Sequence, residues 1–280
     1  MKTPQILCLL FVLTFACSCS KTDDSEKEEP SVVEQSYQLT AILTDKQSLH
    51  FTYNEQGQVS HSEEKDTLSE NTRYNVERDY SYVLTDGLIF SRSVYHREGE
   101  WGTNNRELDY RDTLFLNKQQ RVDSIHRHLI ADGHIQQWLV LWYKYDDDGQ
   151  LTELSMKSSQ GTGKWSQWQR RGTLVWQDGC VMKYAQPGGQ PDITYTYTNL
   201  PNDLYIDARS NLVWNDWIPL LQWFGRKPIY LQQTQERDRT LDHFSYLYQD
   251  GRIVSETQEI IRGEKTVTGV LYFEYSLRCR

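Results

Sequence analysis

Positive charge is in deficit: the 280 residues hold 30 Lys and Arg against 39 Asp and Glu, for a formal charge of −9. An acidic surface is a poor partner for nucleic acid. After the first twenty residues no window approaches the roughly 18 apolar residues that a spanning helix requires, which excludes a polytopic helical membrane protein. The chain also lacks a Gly-x-Ser-x-Gly elbow and a His-Glu-x-x-His helix, the local signatures of two hydrolase classes. Helical periodicity is almost absent. Aromatic residues are plentiful: 9 Trp, 18 Tyr and 8 Phe supply far more buriable surface than a solvated chain carries. Global disorder is therefore excluded, and one large domain is expected.

Residues 1–20, MKTPQILCLLFVLTFACSCS, carry one positive charge at Lys2, an apolar run from Ile6 to Phe15, and then small residues around Cys17 and Cys19. The run is too short to span a bilayer and reads as an export signal. Small residues leading into a cysteine suit lipoprotein processing, in which that thiol is acylated and residues 1–18 are removed. Cys19 is favoured over Cys17 as the lipid anchor, because Ala16, Cys17 and Ser18 precede it, whereas Cys17 has bulky Phe15 two positions upstream. Residues 19–36 then form a flexible acidic tether, with two bases against six acids over 20–36. Cys19-Ser20-Lys21 followed by Asp23-Asp24 resembles the acidic export signal of Bacteroidetes lipoproteins. That resemblance implies a protein anchored in the outer membrane through Cys19 and facing the cell exterior.

The body of the chain is punctuated by turns. In Tyr53-Asn54-Glu55-Gln56-Gly57-Gln58 and Tyr145-Asp146-Asp147-Asp148-Gly149-Gln150, Asn or Asp opens a four-residue turn and Gly follows three positions later, where a left-handed conformation is needed. Asp-Gly pairs recur at 86–87, 132–133, 178–179 and 250–251. Gly57, Gly87, Gly149 and Gly179 are 30, 62 and 30 residues apart, and the doubled gap contains Asn117-Lys118-Gln119-Gln120-Arg121, with Gln120 in the glycine position. A repeat of about thirty residues fits a two-stranded hairpin with a turn at each end. The opposite turns are then expected near residues 66–72, 99–104, 131–134, 160–164 and 187–191.

Thr, Val, Tyr and Trp are frequent between the turns, and Thr194-Tyr195-Thr196-Tyr197-Thr198 alternates with period two. The expected fold is all-β, a single domain over residues 37–280. Its long antiparallel meander would form a strongly curved sheet or partial barrel, because more than ten such strands must curl, split or close. A membrane barrel is disfavoured, since a lipid anchor would be redundant, the chain ends in Arg278 and Arg280, and mean hydropathy is −0.72. One segment, Asn199 to Pro228, breaks the pattern. Within it Asp216 to Gly225 resembles a short helix with Pro219 near its start and Gly225 as its stop. It is apolar nearly all round and should pack on the sheet as a plug. Its indoles at Trp214, Trp217 and Trp223 read as core in preference to a pocket. From about Tyr37 to Tyr275 the chain resembles a Bacteroidetes lipoprotein family of unknown function with a porin-like β fold. The resemblance rests on Tyr143 to Leu151, Tyr246 to Ile253 and the irregular excursion, and it brings no catalytic residues.

The side chains themselves specify no reaction. His126, His128 and His134 flank the Asp132-Gly133 turn, but a two-residue turn pairs Ala131 with His134, His128 with Gln137 and His126 with Leu139. His134 then faces away from the other two, and no metal or cofactor is expected. Asp146, Asp147 and Asp148 are accounted for by turn chemistry. Beyond the anchor, Cys180 and Cys279 lie far apart in a sequential meander and read as packed thiols. Trp101 and Trp165 sit in or beside long turns at one end of the sheet and are the candidate ligand-binding residues, because exposed indoles beside amides suit stacking on sugar rings. The expected role is non-enzymatic binding or scaffolding at the cell envelope, with a glycan or an envelope protein as partner. The runner-up is a carbohydrate-active protein: a glycoside hydrolase needs a cleft with two acids about 5–10 Å apart, whereas a binder needs a Trp row without them.

Overall fold

A computed structural model describes residues 36–278 apart from 70–71, 100–106, 132, 161–162, 203, 205–206 and 214. The chain forms β1 (Ser36–Leu43), β2 (Gln47–Tyr53), β3 (Val59–Ser69), β4 (Thr72–Val83), β5 (Leu88–Gly99), β6 (Leu108–Leu116), β7 (Val122–Ala131) and β8 (His134–Tyr145). It continues with β9 (Leu151–Ser159), β10 (Gln169–Gln177), β11 (Cys180–Ala185), β12 (Ile193–Pro201), β13 (Tyr230–Arg237), β14 (Thr240–Gln249), β15 (Arg252–Arg262) and β16 (Lys265–Arg278). Every strand pairs antiparallel with its neighbour in sequence. The all-β meander is as expected, but it is neither an open sheet nor a partial barrel. β16 pairs with β1, from Ser36 opposite Arg278 to Leu43 opposite Tyr272, and closes a sixteen-stranded barrel. Closure leaves no unpaired edge among these strands. The means of bending is visible in the ladders: register shifts at Thr52/Tyr53, Phe115/Leu116, Lys144/Tyr145, Val175/Trp176 and Leu247/Tyr248 recur beside the same end of the barrel. Each such irregularity adds local bend and twist.

The tight turns have the predicted chemistry. In three copies of one turn the first residue and the fifth share a backbone bond: Asn54 N–H donates to Gln58 O, Asn117 to Arg121 O and Asp146 to Gln150 O. The first side chain caps each copy through its Oδ1, which accepts from the N–H of Gln58, Arg121 and Gln150. Gly57 and Gly149 take φ of 78° and 80°, and Gln120 takes 58° in the equivalent place.

Aromatic side chains lock this end. Tyr53, Tyr82, Tyr145, Tyr197, Tyr246 and Tyr275 each donate a hydroxyl to a carbonyl on the preceding strand, at Leu39, Val59, Val122, Val181, Gln232 and Ile253. Trp176 does the same to Leu151 through its indole N–H. Burial pushes the phenols of Tyr53, Tyr82, Tyr145, Tyr197 and Tyr246 up, Tyr53 to about 12, so these hydroxyls stay neutral donors.

The excursion occupies residues 202–229, slightly later than predicted, and lies inside the barrel at this same end. Its two 3-10 segments are Ala208–Asn211 and Asn215–Trp223, the second containing Pro219. Trp217, Leu220, Leu221 and Phe224 are buried, as core packing requires. Trp223 is half-buried against Tyr82, with ring centroids 6.2 Å apart, and Trp214 lies outside the described residues. The neck is tied by Asn202 N–H to Ile229 O at 3.0 Å and the floor by Arg226 N–H to Gly149 O at 2.9 Å. β1 also starts at this plugged end.

Candidate functional site

Two surfaces offer binding chemistry, and closure decides which side chains reach each. Paired strand residues share a face, so the ladders sort the wall into two sets. Phe51, Ile89, Leu114, Ile125, Leu139, Leu141, Tyr143 and Leu154 are buried and turn inward. Outward positions include Glu77, Asp79 and Ser81 on β4, Thr194 and Thr196 on β12, and Thr266 and Thr268 on β16, all exposed. Transmembrane barrels carry the reverse arrangement, an apolar band outside and a polar lumen.

Exposed apolar side chains also occur outward, among them Phe90, Val175, Leu247 and Tyr272, and a clustered aromatic stretch lies on β8 and the β9–β10 connection. On β8, Trp138 and Trp142 share the outward face, and the β9–β10 connection folds back so that Trp165 bridges to Ser159. Ser166 N–H donates to Ser158 O at 2.8 Å and its hydroxyl accepts from Ser158 N–H at 3.0 Å, which pins the return. Trp165 thereby meets Trp138 edge-on with centroids 6.3 Å apart, and Trp168 lies 6.1 Å from Trp142. Lys157 Nζ sits 5.0 Å from the Trp165 ring and 4.9 Å from Trp168. All four indoles remain 42–47% exposed. His128 packs edge-on to Trp138 and His126 against Phe115, each at 4.8 Å. Burial first, then His128 and Lys157, hold His126 below the usual imidazole range, so it stays neutral.

Of the two tryptophans singled out from sequence, Trp165 belongs to this cluster and Trp101 lies outside the described residues. Trp138 and Trp142 were missed because Trp-Leu-Val-Leu-Trp-Tyr is apolar on both faces, so alternation gave no sign of which residues turn outward, and Trp168, in the β9–β10 connection, joins them only through the fold-back of that segment. The histidine registers need correction: Ala131 faces His134 as expected, but a shift between Leu129 and Ile130 pairs His128 with Trp138 and His126 with Val140. No group of three His, Cys, Asp or Glu among the described residues could hold a metal ion. Cys180 is a buried free thiol, and Cys279 lies outside the described residues. Cys19, the expected site of lipid attachment, also lies outside them.

The second surface is the lumen. A buried polar cluster fastens the plug to the wall: Arg127 binds Asp112 bidentately at 2.7 and 2.8 Å, and Trp217 donates its indole N–H to Asp112 at 2.9 Å. The guanidinium lies between the rings of Tyr110 and Trp217, at 4.7 and 4.5 Å. Within the plug itself, Arg209 ties Asp207 to the Gly225 carbonyl. Between the plug and the far end remain a cavity of about 260 Å³ beside β13–β16 and one of about 650 Å³ beside β5–β10, both bordered by Ser210 and Asn211.

No protein-family model matches the chain, and no curated protein does. Among solved structures it is similar to a porin-like protein from Bacteroides uniformis ATCC 8492, with a TM-score of 0.56 and 13% identity over 87% of this chain and 98% of that one. A porin-like protein from Bacteroides vulgatus ATCC 8482 aligns over 85% and 98% at 12% identity, with a TM-score of only 0.37. At such identities the first likeness shows the fold: the chain shares the porin-like β architecture of a Bacteroides protein.

Proposed function

We propose that the mature protein is a lipoprotein acylated at Cys19, held on the exterior of the outer membrane, and that it binds glycans without chemistry through the aromatic stretch of its outer wall. The observation that carries this reading is the cluster of Trp138, Trp142, Trp165 and Trp168 around Lys157, each indole about half exposed. Indole faces accept the apolar faces of pyranose rings, while Lys157 and the neighbouring serines offer hydrogen bonds to hydroxyls. Binding is favoured over hydrolysis because the outward acids of β6 and β9 are neutralised: Asp109 is held by Arg92 and Arg111 at 3.1 Å, and Glu153 by Lys144 at 2.9 Å. Burial pushes the Asp109 carboxyl up, but the hydrogen bonds from Arg92 and Arg111 outweigh it and hold the group below the usual range. An acid kept ionised by partners is a poor proton donor.

The anchor fits this geometry. A tether ending at β1 enters the plugged end of the barrel, so the far end, where the β9–β10 connection carries Trp165, points away from the lipid. Titration calorimetry of the purified protein against a panel of soluble polysaccharides should find a ligand, and the double variant Trp138→Ala/Trp165→Ala should lose at least tenfold in affinity with thermal unfolding little changed. In cells, Cys19→Ala should move the protein to the soluble fraction, and external protease should cleave the wild type on intact cells. Undiminished polysaccharide binding in the double variant would sink the glycan site. An unmodified mature N-terminus would sink the anchor.

A further inference from the structure

Along β14 and β15 the inward face of the lumen changes character with depth. From the far end towards the plug the cross-strand pairs run Thr240 with Arg262, Asp242 with Ile260, Phe244 with Gln258, and Tyr246 with Glu256. Asp242 is 8% exposed; its Oδ2 accepts long bonds from the amides of Gln235 and Gln258 at 3.5 and 3.3 Å, and its Oδ1 accepts none. Glu256, one side-chain layer below Gln258, borders the 260 Å³ cavity and takes no hydrogen bond or ion pair among the described residues. Phe244, Tyr246, Leu271 and Phe273 on the wall and Leu204 and Ala208 on the plug give that cavity an apolar and aromatic part, and the remainder is polar, from Asn202, Asp207, Ser210 and Asn211 on the plug side and Gln232, Gln235 and Gln258 on the wall. No Lys or Arg among the described residues lines it.

We propose that this part of the lumen binds a small organic ammonium ion, an amine carried on an apolar or aromatic body, with Glu256 as counter-ion. A half-buried carboxyl with open acceptor sites and no internal cation lacks a counter-charge, and a ligand ammonium supplies one. The rings of Phe244, Tyr246 and Phe273 offer the negative faces that favour a cation, and the same rings cover an apolar body. Arg237 and Arg262 border the outer cavity beside Asp242. They repel a cation there and leave the deeper carboxyl as the seat of the charge, with Asp242 second.

Affinity should depend on pH with a fixed sign. The groups facing Glu256 are Tyr246 from β14, Tyr197 from β12, and Asp207 from the plug, the last already clamped by Arg209. β13 presents Gln235, and β16 presents Leu271 and Phe273. Burial pushes the Glu256 carboxyl up to about 7, whereas an alkyl ammonium stays charged to about pH 10. Binding of the cation favours the carboxylate, so affinity rises from pH 6 to pH 8. The test is calorimetry with phenethylammonium chloride and its uncharged analogue 2-phenylethanol. At pH 8 the amine should bind at least tenfold tighter than the alcohol. Glu256→Gln should lose at least tenfold for the amine and flatten the pH dependence, and Asp242→Asn should lose less. Circular dichroism and thermal melts confirm that both isosteric variants fold. Trp138→Ala/Trp165→Ala should leave amine binding intact, which separates this site from the glycan surface. Equal affinity for amine and alcohol, no binding of either, or an unchanged Glu256→Gln variant would overturn the proposal.

Discussion

Gln120 holds a left-handed conformation that its sibling turns give to Gly57 and Gly149, and the steric cost of a Cβ there is borne by the fold. Gln120→Gly should accordingly raise stability by up to about 1 kcal/mol, read as a higher urea midpoint. Gly149 and Gly225 both have positive φ but differ in what surrounds them. A Cβ on Gly149 would fall 2.1–2.4 Å from the Arg121 guanidinium, a flexible end that can swing aside, whereas one on Gly225 would fall 2.6 Å from the Gly149 carbonyl oxygen. Gly225→Ala should therefore cost more than Gly149→Ala, by roughly 1 kcal/mol or more beyond the shared backbone penalty. Glu256 carries the pH signature of the lumen. Its folded carboxyl titrates near 7 against an ordinary 4.5, so the protonated folded state is favoured. That contribution is full below about pH 4 and is lost as pH rises through 7. Relative to wild type, Glu256→Gln should gain up to about 3 kcal/mol between pH 4 and pH 8 in denaturant titrations, and parallel curves for the two proteins would contradict it.

At the scale of elements, the Tyr-x-Tyr-Asp pattern was legible as a turn but not as a latch. Asp146 and Gly149 announce the turn locally. Tyr145 acts on Val122, 23 residues earlier, and Tyr143 packs its ring at 5.0 Å from Phe224 of the excursion. Both partners are distant in sequence, so only the assembled barrel reveals why two tyrosines alternate there. The excursion was legible as buried because it has no polar face. Leu221→Ala or Phe224→Ala should cost about 2–5 kcal/mol, as emptying a packed site does, and a thermal melt unchanged in both would mark the segment as a mobile lid. The short helix expected there is a 3-10 element from Asn215 to Trp223, in which Pro219 lacks an N–H.

For the whole molecule, closure has the largest consequences. It converts the apolar face of sixteen strands into a lumen, fills one end with the excursion, and leaves one cavity against the excursion, bordered by Glu256, and another nearer the far end, bordered by Asp242. The sequence by itself determined where the chain turns, because left-handed backbone positions and Asn or Asp side-chain caps leave local traces. It also determined the strand class and the burial of the excursion, which follow from period-two alternation and continuous apolarity. Three properties awaited the tertiary structure. The pairing of β1 with β16 joins residues more than two hundred positions apart through accumulated bend and twist, which no local pattern encodes. Trp138 and Trp142 gather with Trp165 and Trp168 only because the β9–β10 connection folds back onto the outer wall. Glu256 lies among many acids in the sequence, and its lack of a counter-ion arises from the neighbours that β12, β13, β14, β16 and the plug place around it.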